Sequence, residues 1–162
     1  MGLEKSLSHL PQIRWGNLNE ENAAAAFFKV AIKEHEMPQI SSCGIFVCPQ
    51  FQHISASPDR IMRCNCCPSS CIEIKCPFSL KETEFDLGWQ RLGFMEKAGE
   101  EIVLKKSHKY YAQVQGQMAC SGCERTYFVV WEPVSKVPHI EIVMFDKQFW
   151  DDMFTTLNIF FK

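Results

Sequence analysis

The sequence predicts an α/β (α+β) fold, a central mixed β-sheet flanked by helices, and three observations predict it. An alanine-rich helical run opens the chain. Short runs of β-branched and aromatic residues follow it and recur towards the C terminus. A second helical pattern separates the two groups of strands, so the order is helix, three strands, helix, two strands and a closing helix.

The first helix is read over Asn22–Lys33, with Asn19 as its N-cap and Glu20 and Glu21 in the first turn, where the helix dipole favours negative charge. Pro38 lies just past its end. Glu20, Ala24, Phe27 and Ala31 share one stripe, apolar except for the carboxylate that opens it, which either caps the helix or serves a site. Gly44–Cys48 and Gln52–Ala56, parted by Pro49-Gln50-Phe51, read as a hairpin. Asp59-Arg60-Ile61-Met62 leads into a cysteine-bearing turn, Cys64 to Cys71, and a strand carrying Glu73 and Lys75 returns from it. Residues 79 to 106 are polar and weakly periodic and read as short helical pieces and loop. From Ser107 to Ser121 the period is helical, with Tyr111, Val114 and Met118 on the core stripe, Tyr110, Gln113 and Gln117 beside it, and Gly122 as terminator. The unbroken apolar run Thr126–Trp131 suits a central strand. Ile140–Phe145 alternates and suits a place nearer the edge, and Asp146–Lys162 reads as a Phe-rich amphipathic helix.

A chain of 162 residues suits one domain with a sizeable core, and residues 1 to 162 are read as such. Seventeen Lys and Arg against 19 Asp and Glu give a net charge of −2, which excludes a histone-like nucleic-acid binder. It leaves room for local contact with nucleic acid, since acidic metal ligands offset basic residues in the sum. No apolar run is long enough to span a membrane, and the N terminus lacks the apolar core of a secretory signal. The nine cysteines are odd in number. An intracellular, reduced protein of the nucleus or cytoplasm, not a secreted one, is expected.

The chemistry is concentrated in Ser57-Pro58-Asp59 and Glu73-Ile74-Lys75. Side chains alternate along a strand, so Glu73 and Lys75 share one face while Ile72, Ile74 and Cys76 share the other. If Asp59 lies alongside, two carboxylates and an ammonium converge on a hard-oxygen site suited to a divalent cation such as Mg²⁺, with a lysine to position or deprotonate water. The ordinary readings are an Asp at a turn and a Glu-x-Lys pair on a solvated sheet edge.

Four motifs in order decide between these. Gly16 with Glu20 four residues on, Ala56-Ser57-Pro58-Asp59, Glu73-Ile74-Lys75-Cys76-Pro77-Phe78 and Tyr110-Tyr111-Ala112-Gln113-Val114-Gln115-Gly116-Gln117-Met118 before a strand ending in Trp131 cover about residues 14 to 145. Together they resemble the YqaJ-like viral recombinases, the phage lambda exonuclease family of PD-(D/E)XK nucleases. The resemblance implies a restriction-endonuclease-like core and a Mg²⁺-dependent deoxyribonuclease, with Mn²⁺ able to substitute. Such an enzyme hydrolyses phosphodiester bonds at linear duplex DNA ends in recombination and repair. It further implies Asp59, Glu73 and the Ile74 carbonyl as metal ligands, Lys75 to orient or activate the water, Glu20 to hold a second metal or its water, and Gln113 to hydrogen-bond a catalytic group or the backbone. Arg14 and the run Lys105, Lys106 and Lys109 would meet DNA phosphates, although a surface arginine and a solvated loop are equally good readings. A single-strand annealing protein and a second copy of the chain are the protein partners such an enzyme would have. The alternative is a catalytically inactive or domesticated relative that binds nucleic acid or protein.

The chain departs from the family pattern at three points. Only 13 residues precede Arg14, fewer than is usual for the family. Arg60 stands where a glycine usually follows the Asp. Cys64, Cys66, Cys67 and Cys71 crowd one turn and could hold a structural zinc, against which stand the adjacency of Cys66 and Cys67 and the lack of paired CxxC motifs.

Overall fold

The computed structural model describes residues 10 to 160, and the chain enters its first helix at Pro11. Helix α1 runs from Pro11 to Glu34, three turns earlier than the sequence suggests. Asn19 is therefore mid-helix and not an N-cap; its amide donates to the carbonyl of Trp15 at 2.9 Å. Pro11 starts the helix because a missing N–H is no loss in the first turn. Trp15, edge-on to Phe78 at 5.8 Å, gives the added turns a tertiary contact.

After α1 come β1 (Gln39–Ser41), β2 (Phe46–Cys48), β3 (Phe51–Ala56), β4 (Arg60–Arg63) and β5 (Ser70–Lys75). A short helix, α2 (Phe85–Gly88), lies between the 3-10 turns Phe78–Leu80 and Trp89–Arg91. Then follow β6 (Met95–Ala98), β7 (Glu101–Leu104), α3 (Lys109–Ser121), β8 (Arg125–Val130), β9 (His139–Met144) and α4 (Lys147–Phe160). Residues 161 and 162 of the expected closing helix lie outside the described residues.

The main sheet has the order β1-β4-β5-β8-β9. Only β5 and β8 are parallel, Glu73 beside Phe128; the other three pairings are antiparallel. A parallel pair needs a long crossover, and residues 76 to 124 supply it, with α3 on one face of the sheet. β8 is an internal strand, between β5 and β9, and β9 forms the edge, in keeping with the two hydrophobic patterns. The hairpin β2–β3 forms as expected but stands apart from the main sheet.

Residues 79 to 106 hold the expected short helical pieces and also an unexpected hairpin, β6–β7. Its two-residue loop is Gly99-Glu100, with φ +65° at Gly99 and no other positive φ, the pattern of a type II′ turn. The strands are too polar to show alternation, and their place comes from contact: Glu141 of β9 accepts from the Leu104 N–H at 2.7 Å.

Two apolar layers sandwich the sheet. On the α1 side, Ala23, Phe27 and Ala31 pack on Met62, Ile72, Ile74, Tyr127 and Val129. On the α3 side, Tyr111, Val114 and Met118 pack on Ile61, Cys71, Phe128, Val130 and Val143. Each large apolar side chain so buried stabilises the fold by about 1.5–3 kcal/mol. Alternation along β5 therefore hands Ile72 and Ile74 to α1, and turns Glu73 and Lys75 towards α3. No helix among the described residues is long and apolar enough to cross a membrane.

Candidate active site

The pairing of β4 with β5 sets Arg60 against Ile72 and Ile61 against Cys71. Continued by one residue, this register brings Asp59 opposite Glu73 at the point where the ladder stops. Asp59 Oδ2 then accepts the next N–H, that of Ile74, at 2.7 Å. A strand residue sends its N–H and C=O to the same side, so the Ile74 carbonyl leaves β5 on the side where Asp59 sits.

Glu73 is only 2% exposed and fully partnered. Its Oε1 accepts from Lys75 Nζ at 2.7 Å and Gln113 Nε2 at 3.0 Å, and its Oε2 from Gln117 Nε2 at 2.9 Å. Lys75 Nζ also donates to Gln113 Oε1 at 3.5 Å and lies 4.1 Å from the centre of the Tyr110 ring. Burial, then the facing Glu73 carboxylate and to a lesser degree Glu20, pushes Asp59 up to about 6, against the pull of the Ile74 N–H and Lys75. Burial with Glu20 and Asp59 likewise pushes the Cys76 thiol up to about 12, so it stays protonated. Three carboxylates, Glu20, Asp59 and Glu73, thus gather here with the two cations Lys75 and Arg60.

A cleft of about 220 Å³ opens onto this group between Gly16, Asn17 and Glu20 of α1, Ile74, Lys75 and Cys76, and Tyr110 of α3. Gly16 has no atom within 4 Å of where a Cβ would stand, so its lack of a side chain leaves that wall open. Mid-helix glycine costs about 0.5–1 kcal/mol against alanine.

The sequence-predicted residues thus fall into three groups. Asp59, Glu73, Ile74, Lys75 and Gln113 come together. Glu20 reaches the cleft, but its Oε1 accepts from Arg60 Nη1 at 2.7 Å, and Glu21 pairs with the other Nη of the same guanidinium. Arg60, where the family pattern has glycine, therefore holds the carboxylate expected to take a second metal. Among the basic residues, Arg14 is exposed two residues from Gly16, Lys106 lies 3.9 Å from Asp146, and Lys109 is 5.9 Å from the Tyr110 ring. Burial, then Lys109, Lys105 and Lys75, lowers the pKa of His108, whose neutral Nδ1 caps α3 by accepting from the Tyr110 N–H at 3.1 Å. Of these lysines, Lys109 approaches Tyr110 on the cleft wall, whereas Lys106 lies with Tyr111 and Asp146 at a separate pocket.

Two residues at the site escaped the sequence reading, Gln117 and Tyr110. Both sit on the stripe that carries Gln113, and the four-residue step from Gln113 to Gln117 was the signal available. The cysteine turn also differs from expectation. Cys71 faces the core, completely buried, 3.3 Å from Ser121 Oγ, because it shares the Glu73 face of β5. His35, just past the end of α1, joins Cys64, Cys66 and Cys67 instead.

A family model described as the YqaJ-like viral recombinase domain matches residues 1–124. No curated protein matches the chain. Among solved structures, the chain is similar to an alkaline exonuclease, LHK-Exo, from Laribacter hongkongensis, at 22% identity over 93% of this chain and 67% of that one, with a TM-score of 0.66. The structure of LHK-Exo in complex with dAMP matches at 22% identity over 93% of this chain and 66% of that one, with a TM-score of 0.65. The chain spans about two thirds of that enzyme's length, and the shared fold is the restriction-endonuclease-like one.

Proposed function

The chain belongs to the YqaJ-like viral recombinase domain family, and on that footing we propose that it is a divalent-cation-dependent nuclease acting on DNA ends. The observation that carries the reading is the meeting of Asp59, just ahead of β4, Glu73 and Lys75 of β5, and Gln113 of α3 beside one cleft. The donor set fits a hard cation: two carboxylates and one backbone carbonyl, all oxygen, in a pocket where burial and then the facing Glu73 disfavour the ionised form of Asp59. Asp59, Glu73 and Ile74 would hold Mg²⁺, or Mn²⁺ in its place, and the ion would neutralise charge on the scissile phosphate and favour ionisation of the attacking water.

The side chains around it do the positioning. Gln113 bridges Glu73 and Lys75, giving its N–H to one and its carbonyl to the other. Together with the Tyr110 ring it aims the Lys75 ammonium at the cleft, where it can orient the water and balance charge on the phosphate. Gln117 fixes the far oxygen of Glu73, which keeps the carboxylate from rotating away. Arg60 supplies the positive charge that Glu20 would otherwise draw from a second ion, so a one-cation centre is the form proposed for this chain.

Arg14, Lys105, Lys106 and Lys109 are proposed to meet the DNA backbone, which makes binding salt-sensitive. The LHK-Exo complex with dAMP supports extending the reading to release of deoxynucleoside monophosphates. Strands β8 and β9 and helix α4 follow the stretch matched by the family model, yet β8 pairs directly with β5. That pairing supports a nuclease domain that includes them.

The test is digestion of end-labelled linear duplex with Mg²⁺, with EDTA, and with Lys75→Ala and Asp59→Ala in parallel. Loss of label from one end, with Mg²⁺ only and in the parent only, is expected. A folded parent that leaves the duplex intact with Mg²⁺ and with Mn²⁺ refutes the nuclease and favours the non-cutting binding module.

A further inference from the structure

Remote from the cleft, just past the C-terminal end of α1 and about four turns on from Glu20, three sulfurs and a ring nitrogen crowd together. We propose that His35, Cys64, Cys66 and Cys67 form a structural zinc site. Their ligand atoms all lie within 4.8 Å of one another, and the six separations between them can be compared with a tetrahedron. With Zn–S near 2.3 Å and Zn–N near 2.0–2.1 Å, tetrahedral edges are about 3.8 Å between sulfurs and about 3.5 Å from sulfur to nitrogen. From His35 Nδ1 the sulfurs of Cys64, Cys66 and Cys67 stand at 3.8, 3.5 and 3.5 Å. Cys66 lies 3.6 Å from Cys64 and 3.9 Å from Cys67. Five of six edges match a zinc tetrahedron; only Cys64 to Cys67, at 2.9 Å, is contracted.

The surroundings are those of a ligand shell. His35 presents Nδ1 to the sulfurs, and its Nε2 is 3.0 Å from the Tyr127 hydroxyl. A metal on Nδ1 fixes the proton on Nε2, which then donates to Tyr127, the kind of outer partner that orients ligating histidines. Arg125 donates to Cys67 Sγ at 2.6 Å and to Ser70 Oγ at 2.8 Å, so it is itself held in place. Three thiolates and one Zn²⁺ leave a net charge of −1, which this guanidinium balances. The Glu36 N–H donates to Cys66 Sγ at 3.5 Å. The thiol is a weak donor and weak acceptor, so hydrogen bonding among thiols alone gives little reason for such convergence; a cation does.

Adjacency of Cys66 and Cys67 is no obstacle, because the turn sends their sulfurs apart by a tetrahedral edge. The fourth ligand comes from 29 residues before Cys64, which is why no local spacing pattern reveals it. The ion would tie the end of α1 to the turn between β4 and β5. The helix that carries Glu20 and the strands that carry Glu73 and lead from Asp59 would then share one anchor.

The test is metal analysis of the full chain purified under reducing conditions, with Co²⁺ substitution to report thiolate-to-metal charge transfer. About one zinc per chain is expected, kept in Asp59→Ala, which separates it from the catalytic cation, and kept in Cys71→Ser. His35→Ala should lose it, while His35→Cys, which restores four ligands, should keep both the zinc and the cobalt band even if His35→Ala fails to fold. Metal-free protein with no thiolate–cobalt band overturns the site. So does a Cys64–Cys67 disulfide in the reduced preparation, or zinc that survives His35→Ala and disappears with Cys71→Ser.

Discussion

Gln117→Met separates stability from chemistry at the site. Gln117 is 1% exposed, and its Nε2 donates to the buried Glu73 carboxylate at 2.9 Å, with a longer contact of 3.3 Å to the Ser57 carbonyl. Its own Oε1 is buried without a partner. Met keeps the length and the helix propensity while removing both polar atoms. Loss of a hydrogen bond to a charged group removes about 1.5–3 kcal/mol, whereas relief of an unpaired buried carbonyl returns about 1–3 kcal/mol. The two offset, so the net change in unfolding free energy should stay within about 2 kcal/mol. No such offset protects the placement of Glu73. Without that donor its Oε2 is no longer held, and loss of about 1.5–3 kcal/mol of positioning should lower kcat/KM by roughly 10- to 100-fold. Urea unfolding and kcat/KM on end-labelled duplex are the measurements. A Gln117→Met rate that equals the parent's, or a large destabilisation with the rate unchanged, refutes the assignment of Gln117 to Glu73.

Asp59 yields a pH prediction. Its pKa is raised in the fold from 3.8 to about 6, so its contribution is fully present below about pH 4 and is lost as pH rises through 6. At neutral pH in EDTA, Asp59→Asn should therefore be more stable than the parent, by on the order of 2 kcal/mol; an equal or lower Tm counts against a disfavoured Asp59 carboxylate. Arg60→Ala frees Glu20 and Glu21, and calorimetric Mn²⁺ titration should then find a second ion where the parent binds one. Unchanged stoichiometry would mean that Arg60 does not substitute for an ion. In the core, Phe27→Ala should cost about 3–5 kcal/mol by chemical unfolding, since Phe27 is wedged between α1 and Tyr127 with ring centres 5.2 Å apart. A loss near 1 kcal/mol would mean that α1 is not docked as described.

Much of the site was legible in the sequence because it depends on repeats internal to one element. Alternation along β5 decides that Glu73 and Lys75 share a face, whatever packs there. The helical period of α3 puts Tyr110, Gln113 and Gln117 on one stripe, and Gly122, at φ +76°, ends that helix as its position suggests. The turn-linked pair β4–β5 brings Asp59 opposite Glu73 because neighbouring antiparallel strands have only their register to settle. Helix α1 shows the limit even within an element: Asn19 looked like a cap, but Pro11 and the Trp15–Phe78 contact extend the helix past it.

What the tertiary structure alone decided are the meetings between elements distant in the chain. Arg60 finds Glu20 across 40 residues, Lys75 finds Gln113 across 38, and His35 finds Cys64 across 29. No local pattern encodes these, since each depends on the angle at which a helix packs on a sheet and on which side chains that angle brings within reach. A period along the chain can say which face a residue occupies. What lies opposite that face is set by the burial of Phe27, Ile72 and Phe128, residues that take no part in the chemistry.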